Sequence, residues 1–81
     1  MTRRQKLLSR FLTVPSDLSW HELTRVLSGL GFIEIKNKGV TGGSRVKFVN
    51  QNGDIINLHK PHPSNIVKRY VIVQIIDKLQ L

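Results

Sequence analysis

The chain contains no cysteine, which removes disulfides, thiolate chemistry and cysteine-based zinc sites at once. Acids are scarce: five Asp and Glu stand against 13 Lys and Arg, a net charge of +8. Such an excess on one small domain points to an anionic partner, nucleic acid first, an acidic protein or membrane surface after it. A solvated basic surface is the plainer reading of the same numbers. Aromatics are few. Trp20, Phe32 and Phe48 fall in apolar patterns and read as core, which leaves Tyr70, beside Lys68 and Arg69, as a candidate for stacking on a base. No apolar run approaches the ~18–20 residues of a membrane span. The basic start runs into Leu7-Leu8 and then at once into Ser9 and Arg10, which is not the apolar region of a signal peptide. A soluble cytoplasmic protein without a membrane partner is the expectation. Gly39–Gly43 lacks the spacing and the following helix of a phosphate-binding loop. The histidines and acids are scattered without metal-ligand spacing, and no Ser-His-Asp arrangement can be assembled. No metal and no cofactor is therefore expected.

What is present divides into short periodic segments. Residues 3–12 carry Leu7, Leu8, Phe11 and Leu12 at helical spacing, with Arg3, Arg4, Lys6 and Arg10 on other faces. Pro15 ends this helix, because the residue before a proline avoids helical geometry. The segment reads as a packing arm, with an RNA or partner contact as the alternative. Ser19-Trp20-His21-Glu22 reads as a capping box opening a second helix, whose core stripe is Trp20, Leu23, Leu27 and Leu30. Gly31 supplies a left-handed stop. His21 falls in the first turn of that helix, facing solvent, with no evident partner. Ile72, Ile75, Ile76 and Leu79 recur at i, i+3, i+4 and i+7, so Tyr70–Leu79 reads as a closing helix despite its β-branched content.

Between the helices lie three alternating runs, Phe32–Lys38, Ser44–Asn50 and Ile55–His59, separated by glycine-rich turns. They predict a three-stranded antiparallel meander. The class is α+β: helices packed on one face of the sheet, the other face open, and an extra N-terminal helix. The second turn fixes the register. A two-residue Asn52-Gly53 turn pairs Phe48 with Asn57 and puts a polar side chain on the core face. A three-residue loop, Gln51-Asn52-Gly53, with Gly53 in the left-handed bulge position, pairs Phe48 with Ile56 and Val46 with Leu58 instead. Register follows the hydrophobic pattern, since a one-residue slip turns every side chain over. The three-residue loop is therefore preferred. It sets Arg45 opposite His59 and Lys47 opposite Asn57 on the outer face, where a guanidinium and an imidazole can reach one phosphate.

The layout of helix, three-strand meander and closing helix matches double-stranded-RNA-binding domains. More narrowly, Ser19-Trp20-His21-Glu22-Leu23, Leu30-Gly31-Phe32, Gly43-Ser44-Arg45 and Gly53-Asp54-Ile55-Ile56, in this order, resemble the HicA toxin family of small mRNA interferases. The resemblance covers residues 17–81, an RNA-binding and nuclease domain; residues 1–16 form the N-terminal helix and its linker. It implies mRNA as target and a HicB-type antitoxin as protein partner. In that family a Gly-Ser-His motif commonly carries the catalytic histidine; here Arg45 stands at that place, and arginine stays protonated and cannot act as a base. Leu58–Pro63 (Leu-His-Lys-Pro-His-Pro) is similar to a subgroup with a histidine on the neighbouring strand.

Three functions stay open on these residues. The first is metal-independent RNA cleavage, with His59 as acid/base, Arg45 and Lys47 holding the charged phosphate, and His62 as the second histidine. His59 as a strand-end histidine tied to the His-Pro connection is the competing reading. The second is an RNA-binding module without catalysis, using Lys36, Lys38, Ser44, Arg45, Lys47, Lys60, His62, Lys68 and Arg69. The third is a role centred on an acidic protein partner.

Overall fold

The computed structural model describes residues 3–35, 45–61 and 64–81. The element order is α1 (Arg3–Leu12), α2 (Trp20–Gly29), β1 (Ile33–Ile35), β2 (Arg45–Val49), β3 (Ile55–His59) and α3 (Arg69–Leu79). This is the expected α+β class, with the expected extra N-terminal helix. The strands form one antiparallel sheet in the order β1-β2-β3.

The capping box at the start of α2 is made in full. The Ser19 hydroxyl accepts from the Glu22 N–H at 3.1 Å, and the Glu22 carboxylate accepts from the Ser19 N–H at 3.0 Å. Two donors that a helix start leaves without intrahelical acceptors are thereby satisfied. The other end closes at Leu30 and turns through Gly31, whose φ of +93° is the left-handed conformation glycine adopts without penalty. The chain segment after β3 returns to the same place. Trp20 N–H donates to the Asn65 carbonyl at 2.7 Å and Val67 N–H to the Leu18 carbonyl at 2.8 Å. This short strand-like pairing ties the connection before α3 to the start of α2.

The β2–β3 turn has the three-residue form. Gly53 N–H donates to the Asn50 carbonyl, Asn50 N–H donates to the Asp54 carbonyl, and Gly53 has φ +84°. The register that follows pairs Phe48 with Ile56 and Val46 with Leu58. Phe48, Ile56 and Leu58 are buried against Leu23 and Leu27 of α2 and Ile72 and Ile75 of α3 in a single core cluster. Trp20 lies over Phe48, ring centroids 6.1 Å apart and tilted by 55°, an arrangement aromatic pairs favour. Phe11 of α1 and Leu18 of the linker are fully buried in the same cluster. α1 is further fastened by Arg10, whose guanidinium bonds Asp17 at 2.7 Å and Glu22 at 2.9 Å. With the helices on one side, the opposite sheet face is left open by the described residues.

Candidate nucleic-acid interface

Alternation along β2 and β3 decides what the open face carries. Val46 and Phe48 turn inward with Ile56 and Leu58. Arg45 and Lys47 turn outward with Asn57 and His59. Pairing puts Arg45 directly opposite His59 and Lys47 opposite Asn57, with directly opposed Cβ atoms about 4.5–5.5 Å apart. Arg45 and His59 are exposed and Lys47 is half-buried. Among the described residues the ion pairs are both made by Arg10, so no acid compensates this corner through a salt bridge. A guanidinium, an ammonium and an imidazole thus border one patch that a phosphate can reach.

The rest of the open face is aliphatic. Alternation establishes only that Ile33 and Ile35 share a side of β1; pairing decides which. Ile33 stands opposite Val49, which stands opposite Ile55, and Ile35 stands opposite Lys47. Glu34, opposite Phe48, belongs to the helix side. Ile33 is consequently 70% exposed, with Ile35 and Ile55 also exposed. The basic corner occupies one half of the face and a cross-strand isoleucine–valine row the other.

Lys60 follows His59 at the same end of the sheet and is exposed. Together with Arg45 it lines a trough of about 1100 Å³ between this end and α2. His21, Thr24, Arg25 and Ser28 line the same trough; at i, i+3, i+4 and i+7 they share one helix face. The sequence offers no partner for His21, and the trough that it lines arises only when α2 packs beside the sheet. Lys68 and Arg69 are exposed at the start of α3. Arg69 Nε donates to the Val14 carbonyl at 3.0 Å, so part of this guanidinium ties α3 to the end of α1. Tyr70 is 60% exposed beside them. The candidate residues Lys36, Lys38, Ser44 and His62 lie outside the described residues. Among the described residues no three His, Asp or Glu side chains gather into a metal-holding group, and no helix is long and apolar enough to cross a membrane.

Among the described residues, Glu22 is the one titratable group with a clear displacement. Its carboxyl is held below the usual 4.5, first by the hydrogen bond from the Ser19 backbone, then by the Ser19 side chain and the Arg10 guanidinium, while burial opposes them. It is a structural acid, engaged in the cap and in the α1 contact.

A family model described as the HicA toxin of bacterial toxin-antitoxin matches residues 20–81, most of the chain. Comparison with curated proteins and comparison with solved structures each returned no match.

Proposed function

From the premise that the chain belongs to the HicA toxin family, we propose that it is an mRNA interferase whose reaction centre is the Arg45–Lys47–His59 corner of the open sheet face. The observation that carries this is the cross-strand pair Arg45–His59 beside Lys47. The reaction is attack of a ribose 2′-oxygen on the adjacent phosphorus. The 2′-hydroxyl proton passes to the His59 imidazole, the O2′–P bond forms, the P–O5′ bond breaks, and the imidazolium so formed returns its proton to the leaving 5′-oxygen. The products are a 2′,3′-cyclic phosphate and a free 5′-hydroxyl. Imidazole suits the proton transfers because its charge changes near neutral pH. Arg45 and Lys47 hold the phosphate and offset the charge that builds on it. All three roles are met by side chains of the chain itself, without a metal.

The decisive measurement is RNA decay under EDTA with wild type and His59→Ala. Cleavage by wild type and loss of it in the variant is expected. Equal decay by both proteins sinks the role given to His59. Binding without decay by either favours the second reading, an RNA-binding module of the same fold. That reading draws support from Arg45, which stands where the family commonly carries its histidine.

Family membership implies an antitoxin, and we propose a protein of HicB type that is acidic where it meets Arg45 and Lys47. Its association rate then falls as salt is raised. A neighbouring reading frame of that type is the direct check, and its absence counts against this partner.

A further inference from the structure

The basic corner does not end at the sheet. Arg45 and Lys60 also line the trough against α2, whose opposite wall carries His21 and Arg25. A second trough, of about 530 Å³, runs on between α2 and α1 and is lined by Arg3 and, again, Arg25. Arg25 therefore borders both, between a trough that starts at the sheet corner and one that reaches the first turn of the N-terminal helix. Arg3, Arg25, Arg45 and Lys60 are all exposed along it. Two acids lie on the way. Glu34 borders the first trough. Glu22 borders the second, and its charge is already met by Arg10.

We propose that this double trough is an RNA track: a single strand, held at the Arg45–His59 corner, continues past Arg25 to Arg3. The inference rests on RNA being the substrate of that corner. It extends the footprint onto α2 and onto α1, which lies outside the residues matched by the family model. The shape favours a single strand over a duplex. A duplex offers its phosphates along a stiff cylinder and suits the flat sheet face. A path that dips between α2 and the sheet and then between α2 and α1 requires a chain that can bend at each nucleotide.

The test is a salt series. Each phosphate contact made by a cation adds about 0.7 to the slope of log affinity against log salt for a single strand. Binding is measured by fluorescence anisotropy in the full chain carrying His59→Ala, so that RNA is not consumed, with a roughly twelve-nucleotide single-stranded RNA. Arg25→Gln is expected to lower the slope by about 0.7, and Arg3→Gln with Arg25→Gln by about 1.4. Neither change should alter binding of a dinucleotide, which occupies only the corner. Circular dichroism checks that both variants stay folded; their exposed positions predict that they do.

An unchanged slope in both variants, with Arg45→Gln still lowering it, overturns the track and leaves the reaction centre standing. No measurable RNA binding by any form overturns both. Equal dependence on Arg25 with a duplex of the same sequence overturns the single-strand assignment. If oligoglutamate, and not RNA, shows the Arg25 dependence, the path is an acidic-protein seat and the proposal fails.

Discussion

Arg10 serves two acids at once, and their surroundings decide what each contact contributes. Asp17 is largely exposed and its pairing with Arg10 is screened by water; such pairs contribute about 0–1 kcal/mol. Glu22 is different. One of its oxygens accepts from the Ser19 backbone and the other from Arg10, so a single carboxylate joins the cap of α2 to α1. Because its folded pKa lies below the ordinary 4.5, the folded state favours the ionised form. The stability this contributes is fully present above the unfolded value and is lost as pH falls through the folded one. Glu22→Gln should therefore lower the melting temperature at neutral pH, and the gap to wild type should narrow below pH 4.5. Thermal melts at neutral and acidic pH check this, and a gap of constant size across that range argues against the linkage.

At the scale of the element, the β2–β3 loop does most to build the site. Arg45 faces His59 only because the loop holds three residues, and it holds them with Gly53 at φ +84°. A Cβ added at Gly53 meets nothing within 4 Å, so its cost is the backbone penalty alone, roughly 1–2 kcal/mol. Gly53→Ala is expected to destabilise by about that amount, and Gly53→Asn by less, since asparagine enters the left-handed region more easily. Urea unfolding of both variants provides the comparison; equal midpoints for Ala and Gly would contradict the left-handed assignment. This register was legible in the sequence because only one loop length puts Phe48 opposite Ile56 and Val46 opposite Leu58. The capping box was legible for a similar reason: its partners are three residues apart. The side taken by Ile33 and Ile35 was not. Alternation is blind to which face is covered, and β1 is short enough for its pairing with Val49 to decide the matter. The trough that includes His21 was equally hidden, because its walls come from α2, β1, β2 and the residue after β3.

At the scale of the molecule, the family match begins at residue 20, but the packing does not. Phe11 and Leu18 are among the fully buried side chains, in one cluster with Leu23, Leu27, Phe48 and Ile72. A chain of this size buries a small fraction of its surface compared with larger domains and has a total stability on the order of 5–15 kcal/mol. Each large apolar side chain then carries a sizeable share. The left-handed Val14, φ +55°, shows how firmly the arm is held. A β-branched residue enters that region only where its surroundings compel it, and here its carbonyl receives Arg69 from α3. The N-terminal helix is accordingly expected to belong to the folding unit. Replacing Phe11 removes a ring from the centre of the cluster and leaves a cavity, at a cost of about 3–5 kcal/mol. Phe11→Ala should unfold far more readily in urea than wild type, and RNA cleavage should be lost over the same concentration range, because the sheet that sets Arg45 opposite His59 rests on that core. Exposed changes on the same helix, such as Lys6→Gln, should leave the unfolding free energy within about 0.5 kcal/mol of wild type. A Phe11→Ala protein as stable as wild type would show that the arm merely lies against a domain complete without it.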